Sequence, residues 1–173
     1  MTDRNELIHI IGINAFGVEG LTPKLQELTF TAERIAAPSR ILKSIPLLWK
    51  KKKLKGPCPE LLSTDKIAKL IPELQSNAKK TVLLASGDPL WFGIGRVLLE
   101  KIPRNKLFFH PAPTSLQLAF ARLGRPWQDA TWISLHGRDP SPLSKLLKKR
   151  LPAIAVLTDQ NKGGPQEVRD FLL

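Results

Sequence analysis

The residues best placed to do chemistry are Gly87, Asp88 and Pro89, in the turn Ser86-Gly87-Asp88-Pro89. They close the apolar run Thr81-Val82-Leu83-Leu84-Ala85 and stand directly ahead of a helix-capable segment, Phe92 to Lys101. Gly87 tolerates a positive φ, Pro89 fixes φ and lacks an amide donor, and the residue before a proline is pushed toward extended backbone. The turn is therefore stiff, and open α/β sheets place their ligands at the carboxyl ends of strands. Gly87 would let a ligand approach the main chain closely. Asp88 would offer a carboxylate to an amine or a hydroxyl. An Asx turn, with the same carboxylate bonding the amides after it, explains Asp88 equally well. Trp91 and Phe92 fit core packing or contact with a flat substrate ring.

Other candidates lie at similar junctions. Gly12 closes the run Leu7-Ile8-His9-Ile10-Ile11. Thr114 and Ser115 open a helix after Pro111-Ala112-Pro113, where first-turn amides suit a ligand carboxylate or simple capping. His136 and Arg138 follow the run Thr131 to Leu135 in Leu-His-Gly-Arg. The histidine would move a proton or bind a carboxylate, or be a satisfied structural residue, and the guanidinium suits carboxylates. Thr158 and Asp159 end the run Ala153 to Leu157, and Asp159 would serve equally as a helix cap. His9 reads as core and His110 shows no partner pattern. The three histidines and Cys58 lack metal-ligand spacing, which predicts no protein-bound metal.

Strands are expected at Leu7–Ile11, Arg34–Ala37, Thr81–Ala85, Leu107–His110, Thr131–Leu135 and Ala153–Leu157. Helices are expected from Thr22-Pro23, over Ser39–Trp49, Thr64–Gln75, Phe92–Lys101, Ser115–Leu123, Ser141–Arg150 and Gln166–Leu173. The stretch from Lys50 to Ser63, basic and proline-containing, reads as loop. Strands alternating with helices predict an α/β architecture with mostly parallel pairing. The doubled proline at 111–113 suggests two domains, 1–111 and 112–173. The second, with only two clear strands, is expected to be incomplete, as if truncated, or covered by a partner.

The 27 basic residues outnumber the 15 acidic ones, a net charge of +12 that attracts polyanions. The excess gathers at Lys50–Lys55 and Lys145–Arg150, either as solvated surface or as a rim for an acidic substrate. One cysteine excludes a disulfide framework. No run approaches the roughly 18 apolar residues of a membrane span, and the amino terminus lacks a signal-peptide pattern. A soluble, cytoplasmic protein with no membrane partner is expected.

Four ordered segments carry a family resemblance. They are Ile11-Gly12 with its glycine loop; Ala85-Ser86-Gly87-Asp88-Pro89-Leu90-Trp91-Phe92-Gly93; Pro111 to Gly124, continuing through Pro126 to Ala130; and Ser134 to Arg138, with Leu157-Thr158-Asp159 after it. Together they resemble the tetrapyrrole methylases over nearly the whole chain. The last two look more like the carbon-5 methylating branch (CbiE type) of the precorrin-6Y C5,15-methyltransferases. The resemblance implies two α/β domains around a cleft and methyl transfer from S-adenosylmethionine (SAM) to a ring carbon of a precorrin or cobalt-precorrin in cobalamin biosynthesis. It implies that Gly12, Gly87, Asp88, Pro89, Thr114, Ser115, Thr158 and Asp159 border SAM, with His136 and Arg138 toward the substrate. It also implies a homodimer, with any carbon-15 methylation and decarboxylation on a separate subunit.

No nucleophilic side chain is required, since placing an electron-rich ring carbon in line with the sulfonium methyl contributes roughly 7–11 kcal/mol. The chain departs from the family pattern at Gly12-Ile13-Asn14-Ala15-Phe16-Gly17, where relatives carry a Gly-x-Gly-Pro-Gly-like loop. Two other readings follow: a catalytically incompetent member that binds ligand or partner only, and an rRNA methyltransferase of the same fold. Nucleic acid is disfavoured because aromatic residues do not interleave with the lysine runs, apart from Trp49.

Overall fold

The computed structural model describes residues 7–76, 79–135, 139, 141–158 and 164–170. The chain divides into two compact units, Met1–Thr114 and Ser115–Leu173. In the first, five parallel strands form one sheet: β1 (Ile8–Ile13), β2 (Arg34–Ala37), β3 (Glu60–Ser63), β4 (Thr81–Ser86) and β5 (Leu107–His110), in the order β3-β2-β4-β1-β5. Parallel strands need crossover helices, which cover both faces and favour continuous apolar runs. The strands β1, β2 and β4 obey this rule, being almost wholly buried.

Alternation along each strand divides the core in two. Ile11, Ile13, Ile35, Ala37, Val82 and Leu84 face α1 (Pro23–Phe30), α2 (Ser39–Leu42) and α3 (Ile45–Lys51), whose Leu25, Leu28, Ile41, Leu42, Ile45 and Leu48 meet them. Ile8, Ile10, Ala36, Leu83, Ala85 and Leu107 face Leu70 and Leu74 of α4 (Ile67–Ser76) and Leu98 of α5 (Gly95–Lys101). Consecutive residues of β4 thus serve opposite layers, which makes the sheet a rigid platform for the loops at its carboxyl edge.

The expected strand Arg34–Ala37 is present with those bounds, and β1 runs through Gly12 to Ile13. Thr22 sits at the N-cap of α1 with Pro23 behind it, but its hydroxyl caps nothing. The single helix expected over Ser39–Trp49 is two, α2 and α3. Pro46 lies at the start of α3, where the lack of an amide donor is tolerated, as it is not inside a helix. The expected loop before Ser63 contains β3, whose residues are exposed or half-buried because it forms the sheet edge beside β2.

The second unit holds α6 (Ser115–Arg122), β6 (Thr131–Ser134), α7 (Pro142–Leu147), β7 (Ile154–Leu157) and α8 (Pro165–Asp170). Its two strands pair in parallel, Thr131 opposite Ile154 through Ser134 opposite Leu157. Leu116, Phe120, Ala130, Leu135 and Leu143 are its most buried apolar side chains.

Candidate functional site

Three strand ends converge in the first unit. Ile13 of β1 lies opposite Ser86 of β4, and Ile11 lies opposite His110 of β5. The Gly87 amide donates to the Ile13 carbonyl at 2.8 Å, extending the ladder one step beyond β4. Gly87 has φ +66°, a left-handed conformation that favours glycine. A Cβ at Gly12 would clash with the Gly87 carbonyl oxygen and lie 2.7 Å from the Ala112 nitrogen. Protein backbone thus fills the space beside Gly12, so its small size serves the joining of the three strands. A Cβ at Gly87 would have the Thr114 Cα at 3.5 Å, in ordinary contact. Thr114 itself is buried.

The turn after β4 is built by Asp88 and Pro89. Asp88 Oδ1 accepts from the Leu90 amide at 2.8 Å, the Asx turn weighed from the sequence, and the Asp88 carbonyl accepts from Trp91 at 3.2 Å. Its second carboxylate oxygen takes no hydrogen bond among the described residues. Buried Pro89 turns its carbonyl to the Gly95 amide at 2.8 Å, and a Cβ at Gly93 or at Gly95 would stand 2.6 Å from that oxygen. Phe92 takes φ +49°, so α5 begins at Gly95 and not at Phe92 as its composition suggests. A bulky residue in this conformation is strained.

Sequence reasoning missed the other flank of β4. Arg40, at the start of α2, donates from Nη2 to the Ser86 hydroxyl at 2.6 Å. Beside it the Ser39 amide donates to both Asp65 carboxylate oxygens at 3.3 and 3.4 Å, and the Ser39 and Ser63 hydroxyls lie 3.0 Å apart. Hydrogen bonding from the Ser39 hydroxyl and amide holds the Asp65 carboxyl below its ordinary range. The contacts span 24 to 46 positions and depend on β2 lying between β3 and β4.

The first unit gathers Gly12, Gly87, Asp88, Pro89 and Thr114 at one sheet edge. Ser115 and Thr158 belong to the second unit, Ser115 as the exposed first residue of α6 and Thr158 exposed just beyond β7. Asp159, His136 and Arg138 lie outside the described residues. His9 is not plain core: half-buried, it places Nδ1 3.0 Å from His110 Nε2, with the Phe108 ring tilted against both imidazoles. Burial lowers both histidine pKa values, helped at His9 by His110 and Lys80, and at His110 by Lys24. Among the described residues, no three His, Cys, Asp or Glu side chains gather as a metal site requires. No helix there is long and apolar enough to cross a membrane.

A two-faced parallel sheet with glycine-rich turns at its carboxyl edge defines an α/β fold of ligand-binding type. Residues 7–173 match the family model of the tetrapyrrole (corrin/porphyrin) methylases, and the chain belongs to that family. It is 33% identical over 166 residues to a precorrin-6Y C(5,15)-methyltransferase (decarboxylating) of Sinorhizobium sp., covering 95% of this chain but only 38% of that protein. It is 28% identical over 162 residues to a cobalt-precorrin-7 C(5)-methyltransferase of Salmonella typhimurium, covering 94% of this chain and 75% of the relative. Among solved structures, the cobalamin-biosynthesis precorrin-6Y methylase (cbiE) of Archaeoglobus fulgidus superposes with a TM-score of 0.67. That match has 23% identity and covers 94% of this chain and 77% of that one. A cobalt precorrin-4 methyltransferase superposes with a TM-score of 0.62 at 18% identity, covering 85% of this chain and 66% of that one. These structural likenesses concern the fold, α/β with parallel sheets as expected.

Proposed function

We propose that this chain transfers a methyl group from SAM to ring carbon 5 of a precorrin or cobalt-precorrin in cobalamin biosynthesis. The family match over residues 7–173 carries the reading, and the names of the Sinorhizobium and Salmonella relatives give it its substrate and carbon. The first unit fits the methyl donor chemically. Asp88 keeps one carboxylate oxygen for an amine or a ribose hydroxyl, Gly87 brings bare backbone to the same edge, and buried Thr114 stands beside Gly87. SAM would supply the methyl group on a good leaving thioether. The residues of this chain bind and orient it, and Pro89, Ser115, Thr158 and Asp159 are assigned to the methyl donor by the family resemblance. Gly12 supports the edge from behind, and His136 and Arg138 are assigned to the substrate.

The protein would act in the cytoplasm as a homodimer, with carbon-15 chemistry on a partner subunit. The test is incubation with SAM and precorrin or cobalt-precorrin substrates, read by mass spectrometry. Gain of one methyl group on carbon 5, dependent on SAM, is expected. A folded protein that leaves every substrate unmethylated would refute the reading.

A further inference from the structure

We infer that Arg40 is a carboxylate-binding residue for the acceptor substrate, held ready by Ser86; the inference rests on the proposed methyl transfer and concerns its substrate side. Arg40 is exposed, and its bond to Ser86 is its one hydrogen bond among the described residues. A guanidinium has five donors in a planar fork, so most of its capacity remains for a two-pronged partner. The Ser86 hydroxyl fixes the fork at the carboxyl end of β4, one residue before Gly87.

Topology separates this cation from the SAM-facing groups. In the order β3-β2-β4-β1-β5, Arg40 follows β2 and approaches β4 from that side. Gly12, within β1, and Thr114, after β5, meet Gly87 from the other side. With strands about 4.8 Å apart, the two flanks stand roughly one to two strand spacings from each other. Donor and acceptor of a methyl group must be neighbours without overlap, and this spacing suits that need. The nearby carboxylate of Asp65 feels the Arg40 charge, but it accepts from the Ser39 amide and shares no hydrogen bond with the guanidinium among the described residues. The loops after β1 and β4 also expose Phe16, Leu90 and Phe92, apolar surface suited to a flat macrocycle whose rim carries carboxylates.

The test titrates the full chain, in its wild-type, Arg40→Met, Arg40→Lys and Ser86→Ala forms, with uroporphyrin, a carboxylate-rimmed tetrapyrrole, and separately with SAM. Arg40→Met should weaken uroporphyrin binding about tenfold and lower its salt dependence, while Arg40→Lys recovers part of the loss. Ser86→Ala should weaken it by a smaller factor, and SAM affinity should hold in all three. Arg40 is exposed, so the variants should fold, which circular dichroism will check. Unchanged uroporphyrin binding in folded Arg40→Met, no uroporphyrin binding by any form, or a parallel loss of SAM affinity would each overturn the inference. If wild-type protein binds uroporphyrin through Arg40 but does not bind SAM, the methyl-transfer reading fails on its own.

Discussion

The carbonyl oxygen of Gly87 fills the place a Cβ would take at Gly12, while the Gly87 amide donates to the carbonyl of Ile13. Two strands distant in sequence are thus interlocked at the edge where the proposed SAM site lies. Gly12→Ala must push the Gly87 turn or the Ala112 segment away, an overpacking cost of about 1–3 kcal/mol. Urea denaturation should show that loss, with weaker SAM binding alongside it. Gly17→Ala is the control, since its Cβ would meet nothing within 4 Å and only its φ of +60° opposes it. Equal stability of Gly12→Ala and wild type would contradict the interlock.

Asp88 has two separable roles. An asparagine in its place would keep an oxygen for the Leu90 amide, whereas an alanine would offer none. Asp88→Asn should therefore retain near wild-type stability, and Asp88→Ala should lose about 1 kcal/mol. Both should weaken SAM binding if the second carboxylate oxygen meets the ligand. Full SAM affinity in Asp88→Asn would reduce this residue to a turn former.

Arg34 is 1% exposed and donates from Nε to Glu60 at 3.1 Å and from Nη1 to the Glu73 carbonyl at 2.8 Å. Its Nη2 is buried without a hydrogen-bond partner among the described residues. Glu60 also meets Lys79 at 2.9 Å and is itself partly exposed. Removing the acid leaves a buried cation uncompensated, whereas removing the arginine leaves a solvated Glu60-Lys79 pair. Glu60→Ala should thus destabilise more than Arg34→Met, by about 2 kcal/mol or more in all. Chemical denaturation of both variants measures the order. The reverse order would mean that packing of the arginine stem outweighs its charge.

The His9–His110 pair predicts a pH dependence. Both imidazoles have pKa values below the ordinary 6.5 when folded, because burial disfavours their charged forms. The unfolded chain therefore takes up protons first as pH falls. Stability should be full above 6.5 and decline below it, ahead of the loss from Glu60, whose window lies under 4.5. Thermal denaturation across this range should show the decline, flattened in His110→Gln. A variant that keeps the full slope would place the titration elsewhere.

Much of the architecture was legible because buried parallel strands are locally apolar: Arg34–Ala37 and Thr81–Ala85 stand out in the chain. β3 did not, since a four-residue edge strand with exposed ends has no periodic signature and is made a strand by pairing with β2. The late start of α5 was not legible either: Phe92 has a positive φ, and the Gly95 amide that opens the helix donates back to the Pro89 carbonyl. The turn at Gly87-Asp88-Pro89 was readable from its residue types. Arg40 on Ser86 and His9 on His110 were not, since both contacts exist only once strand order is known.

The most direct measurement is calorimetric titration of the purified chain with SAM, repeated on Asp88→Ala. The account predicts saturable binding with a dissociation constant of about micromolar order, a favourable energy of about 8 kcal/mol, weakened in the variant. A folded wild-type protein that binds no SAM would contradict it.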